Sequence, residues 1–291
     1  MPFGQKRFED NNALLNARFA GKQVLVCAHR GSWRGNVIQN TTIAYKAALM
    51  LGADIVETDT TASRDGVVFS LHDGVEGILF GAPRNATKLT AAQIEAFHPL
   101  NALGEPSTHS VQRLSAVCEF LCHDELVNVD RAWRAKDLVL PLLDRYPHMR
   151  RQAILKAPPD CKALYEQLDG HPVKYMFMPI CRSMKDVETA LSYKEINTVG
   201  IELIATTSQD ELYQDEAVRA IHAMGLFCWV NSLTLADFYP ETALFGDLDD
   251  DISIWEGPER GWGRLIDKGI DVIQTDWPAL VRDLRRQKLN K

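Results

Sequence analysis

The sequence predicts an α/β protein built from repeated strand–helix units. Three observations support this. Short apolar strand candidates recur along the 291 residues, with helical stretches between most of them. These candidates number nine, one more than an eight-stranded barrel needs. Histidines, carboxylates and a lysine stand at the ends of these runs, where a barrel carries its functional face. The length suits one barrel or one open α/β domain. No shift in composition marks a second domain, so residues 1–291 are read as a single unit.

Taken in order, residues 8–20 read as a short helix. Residues 24–28 (VLVCA) form a compact apolar strand ending at His29. Residues 41–51 are a strong helix. Asn40 or Thr41 caps it, Ile43, Ala44, Ala47, Ala48 and Leu51 supply its apolar face, and Gly52 closes it. A second strand covers 54–57. Asp65-Gly66 then turns the chain into 67–71, a hairpin return too short to hold a helix and the expected source of the surplus strand. Residues 74–108 carry Gly, Pro and Asn with weak periodicity, apart from a short helix at 89–97 capped by Thr90. They read as a small insertion after the third strand, lying over the C-terminal face of the fold. A helix at 110–122 comes next. Strands are expected at 126–130, 153–156, 174–180, 199–205, 226–231 and 270–275, with helices at 160–168, 184–193 and 209–224.

Bulk composition narrows the function. Apolar content of 46% and charged content of 24% are ordinary for a globular domain. The net charge of −7, without a long basic run, argues against nucleic acid as the main ligand. No apolar stretch is long enough to span a bilayer. The cysteines at 27, 118, 122, 161, 181 and 228 read as thiols rather than a disulfide scaffold, and Cys118 and Cys122 lie one helical turn apart. A reducing compartment, the cytoplasm, is therefore favoured. The polar N-terminus has no signal-peptide core, and a leader removed earlier would instead indicate a periplasmic or secreted protein.

The chemistry-bearing residues form a pattern. Glu57 and Asp59, two apart on one strand, point the same way and would repel each other without a cation. Oxygen donors favour Mg2+ or Ca2+ over zinc, with Mn2+ as a further candidate. Asp130 closes its own strand and offers a third carboxylate, or else caps the segment after that strand. His29 and His72 end neighbouring strands and could serve as acid and base about one phosphorus atom. Arg30 is suited to phosphate or to a rim salt bridge. Lys156 is a candidate counter-charge for phosphate or a snorkelling surface residue. Glu202, inside an apolar strand, either reaches the barrel mouth as a substrate-site residue or pairs with Lys156 or Arg182. Trp229 could pack on a substrate's carbon skeleton, or simply fill the core, while Asn231 binds a hydroxyl. Thr275 and Asp276 are read as caps of the final helix.

These residues resemble the glycerophosphodiester phosphodiesterase family. The resemblance rests on His29-Arg30-Gly31, Gln39-Asn40-Thr41, Glu57-Thr58-Asp59, Ser63-Arg64-Asp65-Gly66 and His72-Asp73. It continues through Asn128-Val129-Asp130, Trp229-Val230-Asn231 and the closing Gly269 to Pro278 run. It implies a distorted TIM (β/α)8 barrel and one divalent ion held by Glu57, Asp59 and Asp130. His29 and His72 would be acid and base, and the partner would be a small-molecule phosphodiester. The expected reaction is metal-dependent hydrolysis to an alcohol and a phosphomonoester, after attack by a neighbouring substrate hydroxyl. Three positions depart from the family pattern. Gln39 replaces Glu, Asp130 is one methylene shorter than Glu, and Ala132 stands where the family has Lys, a charge that Lys156 could restore. The alternatives are a phospholipase D-like lyase releasing a cyclic phosphate, a sugar-phosphate diesterase, or a binding barrel without turnover. The sequence leaves the oligomeric state open.

Overall fold

A computed structural model describes residues 2–233 and 244–289. Its centre is a closed ring of parallel strands: β1 (Leu25–Ala28), β2 (Ile55–Ala62), β4 (Leu126–Asp130), β5 (Ala153–Ala157), β6 (Met176–Cys181), β8 (Gly200–Leu203), β9 (Phe227–Asn231) and β10 (Val272–Thr275). Pairing of β1 with both β2 and β10 closes the ring, so the fold is a TIM barrel. The remaining strands are accessory. β3 (Val68–Ser70) runs antiparallel to the far end of β2, which makes it the hairpin strand expected from Asp65-Gly66. β7 (Asn197–Thr198) is the first part of β8, set off by a bulge. Met176 pairs with Asn197 but Ile180 pairs with Glu202, so one extra residue is absorbed between them. Gly200 lies at that bulge, where a Cβ would fall 2.2 Å from the Phe227 ring.

Strand alternation divides the barrel into layers. Leu25, Ile55, Leu126, Ile154, Met176, Met178, Phe227, Trp229 and Val272 point inward and form an apolar plug, sealed by Leu15 of the helix Glu9–Phe19. Two residues further along the strands, the same inward face becomes polar, with Glu57, Asp59, Asn128, Asp130, Lys156, Asn231 and Gln274. All except Asp130 are buried. Outward residues pack against two helical shells. Val56, Val127, Val129 and Leu155 belong to one, and Val26, Ile201, Cys228 and Ile273 to the other.

The sequence-read helices are present, most of them shortened and 160–168 shifted to Lys162–Gly170. Thr42–Met50 is capped by Thr41, whose side chain accepts from Ala44 N. Met184–Leu191 and Ala91–Glu95 each begin with a capping box, the latter at Thr90. The final helix is Pro278–Leu289, and the structure adds Lys136–Asp144, Met149–Gln152, Asp250–Trp255 and Trp262–Asp267. Within 74–108, Leu79, Ala86, Ala91 and Ile94 share a small core with Ile38, Phe69, Leu71 and Val111. Cys27, Cys118, Cys181 and Cys228 are buried and every cysteine is free. Among the described residues no helix is long and apolar enough to cross a membrane.

Candidate active site

The polar layer opens at the C-terminal ends of the strands. Glu57 and Asp59 leave β2 on the same face, and register sets Asp130 of β4 directly beside Asp59. One carboxylate oxygen from each of the three lies within 4.8 Å of the others. Burial pushes the Glu57 carboxyl well above its usual range, and the charges of Asp59 and Asp130 push it further. Burial would raise Asp59 too, but Arg30 and both histidine rings outweigh it and bring that carboxyl down to about 2. Both imidazoles therefore act on the same carboxylate, one from the end of β1 and the other from the end of β3.

Three strained residues hold this cluster. Among the described residues, only Arg30 (φ 55°), Asn40 (φ 57°) and Arg131 (φ 60°) are non-glycines in the left-handed region. Such conformations cost on the order of 1–3 kcal/mol each and persist where their surroundings fix them. Each serves one acid. Arg30 N donates to Glu57 Oε2 (2.8 Å), Asn40 Nδ2 to Asp59 Oδ2 (2.9 Å) and Arg131 N to Asp130 Oδ1 (2.6 Å). Gly31 makes the first turn feasible, since a Cβ there would lie 2.7 Å from the Ala44 backbone. Arg30 also pairs through Nε with Asp59 (3.0 Å) and donates from Nη1 to Gln39 (2.9 Å). Its guanidinium is thus fixed at the rim. Gln39, which stands where the resemblance expects a charge, serves as Arg30's acceptor.

The two histidines are supported in opposite ways. His29 Nδ1 lies 2.9 Å from Asp276 Oδ1, which orients the ring and leaves Nε2 as the free nitrogen. His72 Nε2 lies 2.9 Å from Arg131 Nη1. An arginine can only donate, so a neutral His72 ring carries its proton on Nδ1, a buried nitrogen without a partner. Burial lowers the His72 pKa, and Arg30 and Arg131 lower it further against the pull of Asp59 and Asp130.

Lys156 is buried, not snorkelling. Its ammonium bridges Asp130 (3.2 Å) and Glu202 (3.0 Å), and these acids, with Glu57, hold its pKa up against burial. This answers what partners Glu202, and it corrects the reading of Lys156 as a snorkelling surface residue. Glu202 Oε1 accepts from Asn231 Nδ2 (2.8 Å), and Asn231 Oδ1 accepts from Trp229 Nε1 (3.1 Å). Trp229 is 0% exposed, so its core reading holds and its indole is not offered to a ligand. From the half-buried Asp130, a continuous network runs inward through the buried Lys156, Glu202, Asn231 and Trp229.

The cap reading of Asp276 also needs correction. Thr275 Oγ1 does accept from Trp277 N (2.9 Å), but the Asp276 carboxylate turns to His29. Behind it, the buried Asp250 accepts from Asp276 N (3.0 Å), Ser232, Thr275 and Trp262 Nε1. Sequence reasoning missed Asp276, Arg131 and Asp250. The first two stand at strand ends beside recognised site residues, and that was their available signal. Asp250 lies far along the chain, with no pattern to mark it. A second cluster, His222, Cys228 and Asp271, lies near the strand starts. There Asp271 Oδ2 is already occupied by His222 Nε2 and Cys228 N, each at 2.7 Å, so the group ties a helix to β9.

Comparison with known proteins agrees with this geometry. Residues 29–139 match the model of the glycerophosphoryl diester phosphodiesterase family, and residues 177–284 match a model described as a domain of unknown function. A glycerophosphodiester phosphodiesterase from Caldanaerobacter subterraneus subsp. tengcongensis is 45% identical over 51 residues, 18% of this chain and 21% of that relative's length. The fold resembles a glycerophosphoryl diester phosphodiesterase from Parabacteroides distasonis (TM-score 0.74, 15% identity, covering 94% of this chain and 92% of the other). It also resembles an Oleispira antarctica phosphodiesterase solved with the product sn-glycerol-3-phosphate (TM-score 0.66, 14% identity, 91% and 98% covered). The acidic cluster and both histidines lie inside the stretch, residues 29–139, that matches the glycerophosphoryl diester phosphodiesterase family, and the whole barrel shares the fold of solved proteins of that name.

Proposed function

We propose that the protein hydrolyses a glycerophosphodiester-like substrate to an alcohol and a phosphomonoester, using a divalent cation held by Glu57, Asp59 and Asp130. The observation that carries this reading is the acid trio flanked by two imidazoles at the barrel's C-terminal rim. Two further features fit a cation. Glu57 Oε1 and Asn128 Oδ1 are buried oxygens without partners, and Glu57 is strained by its acidic neighbours. Hard oxygen donors suit Mg2+, Mn2+ or Ca2+. Bound there, the ion would polarise a phosphoryl oxygen and neutralise charge developing on phosphorus.

The chain's own groups would do the rest. His29, held by Asp276, takes the proton of the attacking substrate hydroxyl at Nε2, and water then opens the resulting cyclic phosphate to the phosphomonoester. His72 gives a proton to the leaving oxygen from Nε2, once that nitrogen is released from Arg131 and protonated. Arg30 and Lys156 keep the surrounding carboxylates paired, so that the anionic substrate does not meet an uncompensated acidic rim. Residues 74–108 form one wall of the mouth in this reading. Ala102 N donates to Gly35 O (3.0 Å), and Asn101 Nδ2 to Asn36 Oδ1 (2.8 Å), in the loop after β1.

The test is phosphorus NMR of glycerophosphocholine and glycerophosphoethanolamine incubated with the protein. A phosphomonoester product is expected, abolished by EDTA and restored by Mg2+, Mn2+ or Ca2+. Accumulation of a cyclic phosphate would instead indicate a lyase. Full activity after exhaustive chelation would remove the cation from the scheme.

A further inference from the structure

We propose that the substrate carries a single aliphatic chain, which lies in an apolar groove leading out of the catalytic rim. This rests on the phosphodiesterase reading above and narrows its substrate to an amphiphile of the lysophospholipid type.

A groove of about 340 Å³ opens beside Ser32 and Asp276. Asp276 is the residue that orients His29, so the groove begins at the catalytic rim. It runs between the helices Thr42–Met50 and Pro278–Leu289, walled by Trp33, Val37, Ala47, Leu51, Trp277 and Leu280. Leu51, Trp277 and Leu280 are 40%, 39% and 44% exposed, so three large apolar side chains face solvent in one depression. Apolar exposure gathered in one place marks a binding surface rather than scattered surface residues. Its volume is that of a small-molecule pocket.

Charge is distributed to match. The Arg34 guanidinium lies over both the Trp33 and Trp277 rings, 4.7 and 5.3 Å from their centroids, which places a cation at the groove's catalytic end. Arg34 is also among the groups that hold the Asp276 carboxylate down. The surface therefore passes from cationic to apolar with distance from the rim. A small hydrophilic diester would leave the apolar part in contact with water. A phosphodiester bearing one acyl or alkyl chain would cover it.

The experiment compares glycerophosphocholine with dodecanoyl-glycerophosphocholine below its micelle concentration. It is paired with a tryptophan-emission titration using dodecylphosphocholine, whose chain would pass Trp33 and Trp277. The wild type should prefer the acylated diester by about tenfold or more in kcat/KM, as expected when apolar contacts set specificity. Ala47→Trp, which fills the groove, and Leu280→Asp, a solvent-exposed change that places a charge in it, should each bring that ratio towards one. Each should also weaken the titration by about tenfold. Equal kcat/KM for both substrates, or both variants keeping the wild-type ratio, would overturn the proposal. If neither diester is hydrolysed but dodecylphosphocholine binds and both variants weaken it, the groove stands and the phosphodiesterase reading fails. Binding that both variants leave unchanged removes the groove instead.

Discussion

At the scale of single residues, the site rests on unlike supports for like groups. One imidazole leans on a carboxylate and the other on a guanidinium. Asp276→Asn keeps the size of its side chain but removes the charge that orients His29. Activity should fall about 10²–10⁴-fold, the range of a lost general base, while the melting temperature changes little. Steady-state kinetics beside a thermal melt reads both. Asp250, one step further back, is raised to about 7 by burial and by the neighbouring Asp276 charge. A carboxyl raised in the folded state binds its proton more tightly there than when unfolded. Its stabilising contribution is complete below the ordinary aspartate range and is lost as pH rises through about 7. The melting temperature of the wild type should therefore fall more steeply between pH 4 and 7 than that of Asp250→Asn. Parallel slopes would show that Asp250 does not titrate in that window.

At the scale of elements, the bulge at the start of β8 decides which residue faces inward. Without the extra residue, the alternation that places Val199 in the apolar plug would not bring Glu202 to Lys156. Gly200→Ala tests this, because the added Cβ meets, at 2.2 Å, a Phe227 ring that is buried among Phe3, Phe19 and Trp229. A loss of about 1–3 kcal/mol is expected from such overpacking, read as a lower urea midpoint at unchanged slope. The β2–β3 hairpin has a comparable role at the rim. Its return carries the chain to His72 beside β4, where Arg131 leaves the strand, so two distant segments meet at one ring.

At the scale of the whole molecule, the barrel is apolar at one end and ionic at the other. The ionic end works against stability unless its charges are compensated. Lys156, Arg30 and Arg131 provide part of this, and Glu57 remains disfavoured as a charged group. A cation that binds only the folded form adds about 2.7 kcal/mol at a hundred times its Kd. Mg2+, Mn2+ or Ca2+ should therefore raise the melting temperature of the wild type and do so much less in Glu57→Gln. An equal rise in both proteins would mean that the ion binds elsewhere.

The sequence by itself determined the repeat, the surplus hairpin strand, and the Glu57, Asp59, His29 and His72 set, because strand alternation and turn chemistry are local and are written in consecutive residues. Arg30 at the rim and Thr41 as a cap were legible for the same reason. Only the tertiary structure decided who pairs with whom. Asp276 reaches His29 across the closure of β10 on β1, Arg131 reaches His72 across a hairpin, and Lys156 is enclosed by acids from β4 and β8. These contacts join residues far apart in the chain. Burial and neighbouring charge, rather than residue type, then determine whether a tryptophan packs as core, a lysine is enclosed, or an aspartate orients an imidazole.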